Sequence, residues 1–148
     1  KMELPEYISK EEVRRVCQAL GLSDWSKLTE AQVTLNEAQI IQAAVGGEAL
    51  EITAEAFKQG LDVELEHGVR FPEANVTNNH PLLTGKIVLA HLKEMLDYYV
   101  RLEVAEIEGD MLKALRAGNL NKLASKFTLL LKAKAELAEM EEESLGDR

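Results

Sequence analysis

The stretch Ala54-Glu55-Ala56-Phe57-Lys58-Gln59-Gly60-Leu61-Asp62-Val63-Glu64-Leu65-Glu66-His67 decides the fold. At about 100° per residue, Lys58, Asp62, Glu55, Glu66 and Gln59 fall on one continuous arc, the wet face of an amphipathic helix. Phe57, Leu61, Ala54, Leu65, Ala56 and Val63 fill the rest of the wheel, a pattern that strand alternation would not produce. Thr53 stands at an N-cap position and Gly68 at a stop, so the spacing predicts a helix over 54–67. Glu64 lies near the middle of the apolar arc, and His67 lies inside it. An unpaired buried carboxylate is too costly to persist, so Glu64 is expected to have a partner or to be neutral.

Working outward, the same rules account for most of the chain. Ser9-Lys10-Glu11-Glu12 reads as a capping box, and Val13, Val16, Cys17 and Leu20 follow at helical spacing up to Gly21. A short link through Trp25 leads to a second helix over 37–45, capped by Asn36 and ended by Gly46-Gly47; part of 32–35 could be extended instead. Residues 68–83 show no periodicity and contain Pro72 and Pro81, which reads as a long loop, often functional in compact domains. Thr84 reads as the cap of a helix running unbroken to about Arg116, on the order of 48 Å long. Ala117-Gly118-Asn119 reads as a C-cap followed by an N-cap, a tight αα-hairpin turn, and the last helix is expected over 120–142. The sixteen residues from Ala133 carry six acids against two bases and are expected to fray. The fold class is therefore all-α: one helical domain over 1–148, a bundle with a long central helix and a C-terminal αα-hairpin.

Composition bounds the function. Apolar residues make up 46%, aromatics 5% and charged residues 29%, and the net charge is −9. That acidity argues against nucleic acid and against an anionic membrane surface, both of which need clustered Lys and Arg. Cys17 is the only cysteine, so no internal disulfide and no Cys-rich zinc site can form; on its apolar stripe it reads as a small buried hydrophobe. No apolar run approaches a membrane span and no secretory pattern opens the sequence, which leads to an expected cytoplasmic location or an intracellular viral assembly.

The polar residues inside the apolar arcs are the candidate site. On the helix after Thr84, His91 lies among Ile87, Val88, Leu92, Met95 and Tyr98, with Glu94 at the edge of the arc and three residues on from His91. Two helices thus each present a His and a Glu at i,i+3. Glu64-x-x-His67 is the carboxylate–histidine spacing of di-metal bundles, and His91-x-x-Glu94 is its reverse. One reading is a Zn²⁺ or Fe²⁺ site on Glu64, His67, His91 and Glu94, with His80 of the long loop able to replace one ligand. The preferred reading has no cofactor: Glu64 and His67 form a structural clasp with the loop backbone and the hydroxyls of Tyr98 or Tyr99.

The central region resembles a small family of uncharacterised bacterial and phage proteins. The resemblance rests on Phe57-Lys58-Gln59-Gly60-Leu61-Asp62-Val63-Glu64-Leu65-Glu66-His67-Gly68, then Asn75-Val76-Thr77-Asn78. It continues through Thr84-Gly85-Lys86-Ile87-Val88-Leu89-Ala90-His91-Leu92-Lys93-Glu94 and Asp97-Tyr98-Tyr99-Val100-Arg101-Leu102. It implies that the His67 and His91 segments and the loop between them form one unit, a core over 57–102. It implies no activity. Met95-Leu96 stands where members often have a proline, so the helix here is expected to be straighter. The hairpin over 100–142 is an extension that the short members lack.

The hairpin suggests a partner. Val100, Val104, Ile107, Met111 and Ala114/Leu115 form one seam, answered by Leu120, Leu123, Phe127, Leu130 and Leu137, with a break at Lys134. Leu129, Leu130 and Leu131 are consecutive and point across an arc of about 200°, more than one neighbouring helix covers. Self-association or a helical partner through Leu123, Phe127, Leu130 and Leu131 is expected, unless the N-terminal helices pack there. The reading is a non-enzymatic helical assembly or interaction protein, a phage structural component being the finer expectation and a metal-binding protein the alternative.

Overall fold

A computed structural model describes residues 1–146. The chain is all-α, with six α-helices and no strand among the described residues. They are α1 (Lys10–Leu20), α2 (Leu35–Val45), α3 (Ala54–Arg70), α4 (Pro81–Glu94), α5 (Tyr98–Arg116) and α6 (Leu120–Gly146). Single 3₁₀ turns at Trp25–Lys27, Gly47–Glu51 and Pro72–Ala74 punctuate the first half. The chain forms two compact units, Lys1–Lys93 and Glu94–Arg148.

In the first unit, local chemistry places each helix end. Ser9 caps α1 by accepting from the Glu12 amide, and Gly21, at φ 71°, closes it in the left-handed conformation. Thr53 caps α3 in the same way through the Ala56 amide. The cap of α2 is Thr34, two residues earlier than the expected Asn36, because Thr34 and Glu37 form a full capping box. Gly68 does not end α3, which runs on to Arg70. Pro81 rather than Thr84 opens α4, since its ring suits the first helical position. Thr84 sits one turn inside and donates its hydroxyl to His80 O at 2.8 Å.

The core of this unit contains Val13, Cys17, Trp25, Ile41, Phe57, Leu61, Leu65 and Val88, all essentially inaccessible. Each of the larger ones stabilises the fold by about 1.5–3 kcal/mol relative to exposure. Gly85 lets α4 approach α2 closely: a Cβ there would lie 2.8 Å from the Ile41 side chain and 2.9 Å from that of Val45. Val33 is tied to α3 by its amide, which donates to Asp62 Oδ1 at 2.8 Å, while Lys58 pairs with Oδ2 at 2.6 Å. Asp62, on the expected wet face, is therefore only half-solvated.

The long central helix is in fact two. It stops at Glu94 and restarts at Tyr98, with a turn in which the Tyr98 amide donates to Met95 O. Asp97 takes the N-cap position of α5, its carbonyl accepting from the Arg101 amide and its carboxylate from the Arg101 guanidinium at 2.7 Å. Asp97 makes no side-chain cap hydrogen bond to the backbone, so the break occurs without a proline, a glycine or a capping box to mark it.

In the second unit, α5 and α6 form the expected hairpin. Gly118 adopts φ 66°, the Asn119 amide donates to Ala114 O, and Asn119 Oδ1 accepts from the Lys122 amide. The seam consists of Val100, Val104 and Ile107 against Leu130, Ala133 and Leu137, with Met111 and Met140 packed alongside. On α6 this is rotated from the expected line: Ala133 takes the place of the Lys134 break, and Leu120 and Phe127 are left outside. Lys126 faces the hairpin side and pairs with Asp110 at 2.9 Å, while small Ala133 permits close approach. The last helix continues past the expected 142 to Gly146. Two residues of the tail expected to fray lie outside the described residues.

Candidate functional site

Glu64 and His91 meet. Glu64 on α3 and His91 on α4 bring Oε1 and Nε2 to 3.3 Å, with side chains 19% and 31% exposed. Leu61 and Leu65 beside Glu64, and Val88 and Leu92 beside His91, are buried, so the pair sits at the edge of the core. The contact is a hydrogen bond when His91 is neutral and an ion pair when it is protonated.

His67 does not join them. The buried arc of α3 is defined by Gly60, Phe57, Leu61 and Leu65; His67 lies just past its edge, in the last turn, and is exposed. There it sits among the C-terminal carbonyls, a position that suits an imidazole. Glu94, the last residue of α4, is exposed as well. Among the described residues no three His, Cys, Asp or Glu side chains gather as a metal-holding group. Of the four residues read as metal ligands, Glu64 and His91 are in contact, while His67 and Glu94 have exposed side chains. Tyr98, the other member of the expected clasp, stacks edge-on against Tyr99 with ring centroids 5.1 Å apart.

The segment between α3 and α4 holds a polar knot that the helical wheels did not reveal. Asn78 and Asn79 both adopt left-handed backbone, at φ 47° and 62°, which Asn tolerates better than most residues. Asn79 is buried; its amide donates to Trp25 O at 3.2 Å and its Oδ1 accepts from Asn75 at 3.0 Å. Asn78 reaches the segment before α1, donating to Glu6 Oε1 and Ile8 O at 2.6 Å. His80, only 8% exposed, accepts the Leu83 amide on Nδ1 at 3.4 Å and its carbonyl accepts from Thr84. Burial pushes the imidazole below its usual range, and Arg15 pushes the same way, while Glu12 pulls it back up. His80 is therefore a helix-opening group in the fold. The Cys17 thiol, likewise buried, is pushed up by desolvation.

The third feature is a face of α6. Leu120 is 71% exposed, Phe127 50%, Leu131 56% and Leu145 57%. With Ala124 and Ala138 they occupy a single stripe about 60° wide, which also takes in Glu142 near its end, roughly 110° around the helix from the seam that meets α5. Of the four residues expected at a partner surface, Phe127 and Leu131 lie on this stripe and Leu123 is half-buried beside it. Leu130 is taken up by the hairpin's own core. Leu129 is exposed on the opposite side.

The family model described as "Protein of unknown function (DUF5661)" matches residues 13–108, about two-thirds of the chain. No curated protein and no solved structure matches. The match begins in α1, takes in the Glu64–His91 pair and the asparagine knot, and stops within α5, so α6 and its exposed stripe lie beyond it. The chain belongs to the DUF5661 family, whose function is unknown.

Proposed function

We propose that this protein is a non-enzymatic helical assembly module that docks another polypeptide helix on the apolar stripe of α6. The single observation that carries this reading is the stripe itself: Leu120, Phe127, Leu131 and Leu145 aligned and exposed beside a hairpin seam already filled by other residues. Scattered exposed leucines need no explanation, but an aligned set along one helix marks an interaction surface. The groups with chemical potential support the same reading, because Glu64 and His91 join two helices, His80 opens α4 and Cys17 is core. The resemblance to phage proteins extends the proposal to a structural or assembly component of a phage particle, which the neighbouring genes would test directly.

The test is site-specific photo-crosslinking in producing cells, with the reactive side chain at position 131 and a control at exposed Leu50. A discrete heavier adduct from position 131 alone is expected. If position 131 yields no adduct beyond the control, the stripe docks nothing and the proposal falls.

A further inference from the structure

We infer that the occupant of the α6 stripe is the α6 stripe of a second copy, lying antiparallel about a two-fold axis; this rests on the docking role proposed above and names its partner. Two observations point to it. The stripe runs from Leu120 to Leu145, about 38 Å at the helical rise, so a helix of similar length is needed to cover it. At 27 residues, α6 is itself such a helix.

Charge then selects the orientation. Residues 111–135, the end of the hairpin around its turn, contain Lys113, Arg116, Lys122, Lys126, Lys132 and Lys134 and no acid. Residues 136–143 contain Glu136, Glu139, Glu141, Glu142 and Glu143 and no base. In a chain of net charge −9 this separation into a basic and an acidic block is pronounced. Parallel pairing would set carboxylates against carboxylates. Antiparallel pairing sets the basic end of each copy against the acidic end of the other, and the two-fold axis makes both ends identical.

With the axis near the middle of the stripe, between Lys132 and Ala133, Phe127 of one copy faces Ala138 of the other, a large side chain against a small one. Leu120 faces Leu145 at the two ends, and Leu131 faces the stem of Lys134.

The experiment measures solution mass by sedimentation on the full chain and on exposed-site variants, with circular dichroism confirming helicity. The wild type is expected at twice the 16.5 kDa chain mass, with dissociation favoured by salt. Phe127→Ser with Leu131→Ser should leave a helical monomer. Lys113→Glu with Arg116→Glu, and separately Glu141→Lys with Glu142→Lys, should each weaken the dimer about tenfold. Combining all four changes should restore it to within about threefold, because only an antiparallel pair re-matches the swapped ends. A monomeric wild type, unchanged mass in the stripe variant, or reversals that fail to compensate would overturn the inference. So would a monomer that binds vesicles rich in anionic lipid through the same residues, which would assign the basic, apolar end to a membrane surface. A crosslink from position 131 to a different polypeptide would also overturn the second copy as occupant while leaving the docking role standing.

Discussion

Gly68 and Asn79 approach so closely that a Cβ on the glycine would stand 2.7 Å from Asn79 Oδ1, and the Asn75 amide would be 2.8 Å away. Neither asparagine is free to swing aside, since Asn79 is anchored on Trp25 O and Asn75 on both Asn79 and Gly68 O. This explains why a glycine occupies a position inside α3, where it costs about 1 kcal/mol relative to alanine.

Gly68→Ala sets those two effects against each other. The gain in helix propensity is about 1 kcal/mol, whereas overpacking of a closed polar knot costs about 1–3 kcal/mol. The loss should prevail, lowering the thermal midpoint by several degrees. Thermal unfolding followed by circular dichroism checks this. A variant as stable as the wild type would show that the knot yields easily.

His80 makes the first unit sensitive to acid. Its folded imidazole lies below the ordinary value of 6.5, so between the two values the unfolded chain binds more protons than the native one. Stability from this group is therefore complete above about 6.5 and is lost as pH falls through that value towards the lowered one. Protonation also removes the acceptor that holds the Leu83 amide. Urea unfolding from pH 7.5 to 5 should show a decline that is reduced in His80→Gln, with Glu12 and Arg15 unchanged. Equal slopes in the two proteins would place the acid sensitivity elsewhere.

Where a side chain states its role locally, the sequence was enough: Ser9 and Thr53 cap their helices, and Gly118-Asn119 turns the hairpin. The contact of Glu64 with His91 was legible because both fall inside apolar arcs. His67 was not, since a residue near the rim of an arc goes in or out according to where the neighbouring helix ends. The break before Tyr98 has no Pro or Gly to announce it. The seam of α6 was misplaced because apolar residues cover more than one face, and only the position of α5 selects Ala133 over Phe127. The knot around Asn79 depends on left-handed backbone and on Trp25, 54 residues away in sequence, which no periodicity reveals.

Two ligands are fewer than the three or four that a protein zinc site supplies. Adding Zn²⁺ to the native protein should therefore leave its thermal midpoint within about 1 °C, since a ligand stabilises only in proportion to its affinity for the folded state. Removing divalent ions by chelation should be equally silent. A stoichiometric rise in midpoint that disappears in His91→Ala would restore the metal reading, with Glu64 as the second ligand.

Leu130 and Leu131 are neighbours in sequence and opposites in role. Leu130 is 6% exposed, packed with Val104, Ile107 and Leu137, so truncation leaves a cavity inside the hairpin. Leu130→Ala should cost about 2–4 kcal/mol, measured as faster amide exchange across α5 and α6. Leu131 projects from the stripe, and Leu131→Ala should change the exchange of a dilute, dissociated chain by no more than about 0.5 kcal/mol. Its effect should instead grow with protein concentration, because it removes contact with an occupant rather than with the hairpin. A large loss from Leu131→Ala at high dilution would mean that this side chain supports the fold of its own chain, and the stripe would cease to be a docking surface.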